Sequence, residues 1–214
     1  MKRIVQYVGY AIAGVVLAGG AVWISDGDTA AAPFSQTNGV ADVDQARDQL
    51  ASLEVRPEHS TDGYDRDDWP HWMPVGDGCD AREWVLREHA EDMVRTKGAC
   101  TIGNGRWTSS YDGEVVTDPS ELDIDHLVPL AEAHASGGYA WSEDRRGEFA
   151  NDVRFLVPVT ASSNRSKGDA DPAEWLPDVD VCTYLVDYVA AKAEYALTVD
   201  RVEHDAIDRG LDRC

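Results

Sequence analysis

The chain has 214 residues, of which 43% are hydrophobic, and its formal net charge is −21. This length is enough for one well-packed domain with a tail and is short for two. The acidic excess keeps the chain soluble and excludes long-range electrostatic attraction as its means of finding a polyanion.

The first 25 residues have the pattern of an export signal. Lys2 and Arg3 precede an uncharged run that continues to Ser25. The apolar part of a signal peptide spans roughly 7–15 residues and a membrane helix needs about 20, so residues 4–24 fit either. We therefore predict that residues 1–25 are a signal peptide or a membrane anchor. The rest of the chain is expected to be extracellular or in the cell envelope.

Acidic side chains dominate the segment that follows. Residues 26–70 carry eleven acidic and three basic side chains. No sustained hydrophobic periodicity runs through 26–62, although 45–53 has the pattern of a short helix. We predict an acidic flexible linker over 26–62 and a folded domain over 63–214.

The folded domain is predicted to begin with a helix and a hairpin. Asp80 followed by Glu83 is a capping-box pattern, which predicts a helix that ends at Gly98. Short apolar stretches between the glycines of 101–118 predict two short strands with tight turns.

The segment 123–168 is predicted to fold as strand, loop, strand and helix. Two apolar runs, 124–130 and 153–159, are separated by a polar excursion that contains glycine. A helical pattern over 161–167 follows and stops at Gly168.

The tail is predicted to be helical. Apolar residues recur on one face from Cys182 to Ala193, and Asp200 with Glu203 is a second capping-box pattern. Together with the strands predicted over 101–159, these helices give an α+β fold.

Four cysteines fit an exported chain. An even number in such a chain predicts two disulfides, for which three pairings are possible. None of the four lies in a Cys-x-x-Cys pair, which argues against a cysteine zinc site. We predict the sequential pairs Cys79–Cys100 and Cys182–Cys214, because each would clip a helical segment to a later one. Each is expected to stabilise the fold by roughly 3 kcal/mol.

Residues with the chemistry of hydrolysis lie in the segment 123–168. Cleaving a phosphodiester requires an activated water and a positive centre that takes up charge on the leaving oxygen. His126 has the ordinary pKa of a general base near neutrality. Asp125, with a carbonyl oxygen from Asn164, could hold Mg²⁺ or Mn²⁺. Neighbours on a regular strand point to opposite faces, so Asp125 and His126 share a site only where the strand ends or bends.

This segment resembles the HNH nuclease superfamily in DIDHLVPL, FANDVRFLVPV and NRSKGD. The segment matches the variant of the HNH motif in which an Asp-His pair stands at the position of the first His. In this variant, Asn stands at the position of the last His. The wider chain, from about Tyr64 to Cys214, resembles an exported bacterial HNH family. That family is domain of unknown function 1524, which is related to the C-terminal domain of GmrSD restriction enzymes.

The resemblance implies a ββα-metal core (HNH, or His-Me finger) over about 121–168, flanked by disulfide-clipped helices. It implies Asp125 as metal ligand, His126 as general base and Asn164 at the last metal-side position. Asn151 matches the middle Asn, which supports the loop and orients the base. Because Asn164 stands where many relatives have His, Mg²⁺ or Mn²⁺ is favoured over Zn²⁺.

Further residues are predicted to act beside this core. Residues 145–167 carry a net charge of +3, and Arg154, Arg165 and Lys167 are predicted to contact substrate phosphates. On charge alone, this segment fits equally well a solvated surface with ordinary ion pairs. Glu132 and His134 are candidates to support the metal or the substrate, and structural roles are the alternative for both.

The sequence therefore predicts an exported, metal-dependent endonuclease with low sequence specificity. DNA is the expected substrate, and RNA stays open because attack at phosphorus is the same in both. The alternative is a non-catalytic binding module tethered to the envelope on an HNH-like scaffold, which the acidic balance favours. No stable protein partner is implied, and membrane contact is expected only through residues 4–24 if they are not cleaved.

Overall fold

The computed structural model describes residues 42–92 and 100–214, and over these ranges the fold is a mixed α+β structure. The predicted export signal over 1–25 lies outside the described residues. Within the described part of the chain, no helix is long and apolar enough to cross a membrane. The helices are α1 (Val43–Ser52), α2 (Ala81–Glu88), α3 (Leu130–Ala135), α4 (Glu143–Ala150), α5 (Ala161–Lys167), α6 (Val181–Glu194) and α7 (Arg201–Leu211). The strands are β1 (Pro74–Gly76), β2 (Cys79–Asp80), β3 (Trp107–Thr108), β4 (Val115–Val116), β5 (Leu122–His126) and β6 (Leu156–Thr160).

The main hydrophobic core lies between helices α1, α6 and α7 and the loop segments beside them. Leu50 of α1, Val189 of α6 and Ile207 of α7 are all buried in one cluster. The short helix predicted over 45–53 is observed as α1 (Val43–Ser52), but it belongs to the folded domain and not to a flexible linker. Acidic composition misled this part of the prediction, because the acidic residues lie on the solvent side of an amphipathic helix. Residues 26–41 lie outside the described residues.

Both predicted capping boxes are confirmed. Asp80 caps α2 through the backbone N–H of Glu83, and Asp200 caps α7 through that of Glu203. The described part of α2 ends at Glu88, earlier than predicted, and the predicted end at Gly98 lies outside the described residues. Both predicted disulfides, Cys79–Cys100 and Cys182–Cys214, are also confirmed.

The three sheets are small and antiparallel, each with two strands. The predicted hairpin is present as β3 and β4, in which Trp107 pairs with Val116. Strands β5 and β6 pair over five residues, from Leu122 opposite Thr160 to His126 opposite Leu156. Helix α5 follows β6 directly and packs against both strands. The predicted order of strand, loop, strand and helix is therefore observed, with α3 and α4 inside the loop.

Candidate active site

Strand β5 presents two carboxylates on one face. Burial alternates along the strand, so that Leu122, Ile124 and His126 are buried while Asp123 and Asp125 are half-buried. This alternation follows from the two-residue period of a strand. The two aspartates therefore share the face that carries polar contacts.

Asp125 is held by two donors from other parts of the chain. Its Oδ2 accepts a hydrogen bond from the Tyr111 hydroxyl at 2.7 Å and from Lys167 Nζ at 2.6 Å. Burial raises the pKa of Tyr111 well above its usual value, so the phenol stays protonated and donates. Among the described residues, Oδ1 of Asp125 accepts no hydrogen bond. This oxygen is the one left for a further partner.

Asn164 pairs with Asp123 rather than with Asp125. Its Nδ2 donates to Asp123 Oδ2 at 3.0 Å. Asn164 and Lys167 are three residues apart on α5, a spacing that places them on one helix face. The helix therefore makes two parallel contacts to the strand, one to each aspartate.

His126 ends strand β5 in an apolar environment and is only 5% exposed. Its Nε2 lies 2.9 Å from the carbonyl oxygen of Ala150. Because a carbonyl can only accept, Nε2 carries the proton, and the neutral ring has its lone pair on Nδ1. Burial lowers the pKa of His126 to about 4, and the bond to Ala150 and the charge of Asp125 partly offset this. The imidazole is therefore neutral near pH 7, the form that a general base requires.

Asn151 fastens the loop beside His126 to a distant segment. Its Nδ2 donates to Pro70 O at 2.7 Å, and its Oδ1 accepts from Met73 N at 2.7 Å. Between these two anchors lies Trp72, whose φ of 60° is rarely adopted by a large side chain. The Trp72 ring lies 6.2 Å from the His126 ring. Asn151 thus fixes the loop that contains Ala150, whose carbonyl accepts from His126. It also fixes the segment that places the Trp72 ring beside the His126 ring.

Asp125 and His126 point to opposite faces of the strand, as the alternation predicts. The Asp125 side chain faces Tyr111 and Lys167, whereas the His126 ring faces Ala150. Lys167 connects the two residues, since its Nζ also donates to the backbone carbonyl of His126 at 2.8 Å. The side chains of the predicted base and the predicted ligand therefore lie on opposite faces of β5, and Lys167 contacts both residues.

Most of the predicted basic surface is occupied by internal partners. Lys167 is 2% exposed and is bound to Asp125, so it is not available for the predicted phosphate contact. Burial of its ammonium is costly in itself, and the ion pair with Asp125 offsets that cost. Arg154 is paired with Asp152 at 2.6 Å and with Glu194 at 3.1 Å. Arg165 is exposed, and no partner for it is found within the described ranges.

Glu132 and His134 lie away from this group of contacts. Both are buried on α3, and Glu132 is bound to Lys192 of α6 at 2.6 Å. The His134 ring packs against Tyr64, with 5.6 Å between the ring centroids. Neither contacts Asp125, His126 or Asn164, so the structural alternative describes these two residues. Their spacing from His126 gave no sign of this, because the partners, Lys192 for Glu132 and Tyr64 for His134, lie far away in the sequence.

A second cluster of carboxylates surrounds Lys192. Oxygens of Glu58, Glu132 and Glu203 lie within 4.8 Å of one another, a spacing that could suit a metal. Lys192 Nζ already occupies the centre, at 2.6 Å from Glu132 and 2.5 Å from Glu203. A pocket of about 570 Å³, lined in part by Glu58 and Glu132, opens beside it. The ammonium fills the place of a cation, so we do not assign the metal centre here.

Sequence reasoning missed two residues of the site. Asp123 had a usable signal, because its spacing of two from Asp125 puts both carboxylates on one face of a strand. Tyr111 had none, since it reaches Asp125 from a separate hairpin segment.

These contacts define a polar site at a strand end in a disulfide-bonded α+β domain. A family model for the C-terminal domain of GmrSD restriction endonucleases matches residues 80–208, and the chain belongs to this family. The family is nuclease-related. The chain is also 37% identical over 187 residues to an "Uncharacterized secreted protein" of Arthroderma benhamiae (strain ATCC MYA-4681 / CBS 112371). That match covers 86% of this chain and 91% of the relative. No solved structure matches the chain.

Proposed function

We propose that the chain is an exported endonuclease that hydrolyses phosphodiester bonds of DNA with a divalent cation and with low sequence specificity. Its core would be a ββα-metal unit formed by β5, β6 and α5. The observation that carries the proposal is the arrangement of that unit. Asp125 and His126 end the first strand, and the helix after the second strand brings Asn164 to the same strand face through Asp123. Membership of a nuclease-related family supports the same conclusion.

The donor set suits a hard cation. Asp125 Oδ1 and the Asn164 amide oxygen are both oxygen donors and make no hydrogen bond to a described residue, and oxygen ligands favour Mg²⁺ or Mn²⁺ over Zn²⁺. A cation held by Asp125 and Asn164 would supply positive charge for the leaving oxygen. Lys167 occupies only Oδ2 of Asp125.

The protein side chains supply the remaining steps. Nδ1 of His126 takes a proton from the attacking water, while the Ala150 carbonyl keeps the ring oriented through Nε2. Asn151 is a positioning residue that holds the loop of Ala150. Arg165 contacts a phosphate next to the scissile bond, since its guanidinium is exposed.

Two observations support export. The relative from Arthroderma benhamiae carries the word "secreted" in its name. Two disulfides are formed among four cysteines, as is usual in oxidising compartments.

The direct test is cleavage of a supercoiled plasmid and of a single-stranded RNA with Mg²⁺ or Mn²⁺. His126→Gln is expected to lose about 10²- to 10⁴-fold in rate, as is typical when a general base is removed. His204→Gln, a change on the partly exposed face of α7, is the matched control and should keep full activity. Equal rates for His126→Gln and the parent would show that the proposed mechanism is wrong.

The net charge of −21 favours a second function, a non-catalytic binding module on the same scaffold. Such a scaffold has no need of a cation. Addition of Mn²⁺ should then leave the melting temperature unchanged, whereas the proposed enzyme should be stabilised.

A further inference from the structure

Asp123 is a carboxylate at the candidate site to which the proposed function assigns no role. It lies two residues before Asp125 on β5, on the same half-buried face. No lysine or arginine is paired with it in residues 42–92 and 100–214. Its contact in those ranges is the Asn164 amide, whose Nδ2 donates at 3.0 Å.

This hydrogen bond determines which end of the Asn164 side chain faces outwards. A carboxylate oxygen can only accept, so the end of the amide near Asp123 must be the NH₂ group. The carbonyl oxygen is bonded to the same planar carbon and points away from Asp123. Without this acceptor, the side chain could present either end to a cation, and only the oxygen can bind one.

Two positions of β5 face two positions of α5. Residues two apart on a strand are separated by roughly 6.6 Å, and residues three apart on a helix by a rise of roughly 4.5 Å. Asp123 meets Asn164, and Asp125 meets Lys167, so each position of α5 has its own carboxylate. In each pair, one oxygen of the aspartate is used and the other accepts no bond from a described residue.

We propose that Asp123 is a positioning residue that orients the Asn164 amide so that its oxygen is presented to the divalent cation. The inference rests on the proposed function and adds a residue to that site. It assigns to Asp123 no direct bond to the cation. Partners that orient metal ligands usually change metal affinity by 10- to 100-fold when removed.

The test measures Mn²⁺ affinity by calorimetry in four variants of the full chain. Asp123→Ala removes the acceptor and should weaken binding by about 10-fold or more. Asp123→Asn keeps an oxygen that accepts from Asn164, so its affinity should stay close to that of the parent. Asp208→Asn removes an exposed carboxylate without a described partner and should change nothing.

The fourth variant exchanges the two residues. Asp123→Asn combined with Asn164→Asp restores the hydrogen bond with reversed polarity. One oxygen of the carboxylate introduced on α5 is left for the cation, so Mn²⁺ binding should be kept. The Asn164 side-chain amide protons offer a readout without metal. Their NMR signals should be shifted by the hydrogen bond in the parent and in Asp123→Asn, and not in Asp123→Ala.

Two results would overturn the inference. Parental affinity in Asp123→Ala would show that the amide needs no orientation. Equal loss in Asp123→Ala and Asp123→Asn would show that Asp123 acts through its charge, as a direct ligand. Failure of the parent itself to bind Mn²⁺ would instead remove the proposed function, which distinguishes the two claims.

Discussion

Over residues 42–92 and 100–214, two lysines are buried with carboxylates, and the two clusters are built differently. Lys192 lies among Glu132, Glu203, Ser136 and the Thr198 carbonyl, with distances of 2.5–3.2 Å. Lys167 lies against one carboxylate, that of Asp125, and the carbonyl of His126. In the first, which we call the closed cluster, each buried carboxylate has several hydrogen-bond donors. In the second, which we call the open cluster, Asp125 and the neighbouring pair of Asp123 and Asn164 each keep an oxygen without a described donor.

This difference separates a structural cluster from a candidate site. In the closed cluster, Glu203 also accepts from the Tyr188 hydroxyl at 2.8 Å and completes the capping box of α7. In the open cluster, Asp123, Asp125 and Asn164 each keep an oxygen without a described donor. Buried carboxylates are costly unless paired. Among the oxygens of this half-buried strand face that have no described donor, those of Asp125 and Asn164 are the ones to which we propose the cation binds.

Removing the lysine of the closed cluster should have the largest effect. Lys192→Met leaves Glu132 and Glu203 buried without a counter-charge, which typically costs about 3–5 kcal/mol. We expect the free energy of unfolding in urea to fall by that amount. A change below about 1 kcal/mol would mean that both carboxyls take up protons readily and that the cluster contributes little.

Removing the lysine of the open cluster should cost less and should be reversible by metal. In Lys167→Met, Asp125 keeps the Tyr111 hydroxyl and is half-buried, so we expect a loss of about 2 kcal/mol in the presence of chelator. Mn²⁺ replaces the missing charge, and the rise in melting temperature on its addition should exceed that of the parent.

Lys192→Met serves as the control for this experiment. If Mn²⁺ stabilises Lys192→Met more than Lys167→Met, the cation binds among Glu58, Glu132 and Glu203. The metal assignment at Asp125 would then be wrong.

The difference between the two clusters also shows how far the sequence alone predicts this molecule. The order of elements in 123–168, both capping boxes and both disulfides follow from local patterns, and the structure contains them. Partners across the fold do not follow from such patterns. Lys167 was predicted to contact a substrate phosphate, and its burial depends on Tyr111 and Asp125, which lie 56 and 42 residues earlier.

The same limit applies to Glu132 and to the first helix. Glu132 lies six residues after His126, and only the contact with Lys192, 60 residues later, shows that it belongs to another cluster. Helix α1 looked like part of a linker because its composition is acidic. Its two buried positions, Ala46 and Leu50, are explained only by the presence of α6 and α7.

The closed cluster should make stability depend on pH. Burial raises the pKa of Glu203 to about 7, and partial burial together with Glu132, Asp200 and Asp171 raises that of Glu58, an exposed residue at the edge of the cluster, to about 7. A carboxyl with a raised pKa binds its proton more tightly in the folded state. Such a carboxyl contributes fully to the free energy of unfolding at pH values below its ordinary pKa of about 4.5. This contribution is lost as the pH rises through about 7.

Thermal unfolding at several pH values measures this effect. The melting temperature should fall between about pH 5 and pH 8, by roughly 2–4 °C for each kcal/mol lost. Glu58→Gln removes one carboxyl of the group and should flatten the curve. A melting temperature that rises over this interval would show that Lys192 dominates and keeps the carboxyls ionised.

The smallest effect is expected at the basic residues, where the two arginines predicted to contact phosphate differ in their surroundings. Arg165 is exposed without a described partner, whereas Arg154 is held by Asp152 and Glu194.

If Arg165 contacts a phosphate, Arg165→Ala should weaken DNA binding at every sequence and reduce the slope of log affinity against log salt by about 1. Arg154→Ala should leave that slope unchanged and cost stability of about 1 kcal/mol or less, because partly exposed ion pairs contribute little. Fluorescence anisotropy in the His126→Gln background, in which we expect no cleavage of the probe, separates the two arginines between about 50 and 200 mM salt. A larger change in slope for Arg154→Ala would mean that its carboxylate partners release it when DNA binds, so that internal pairing does not exclude a role in binding.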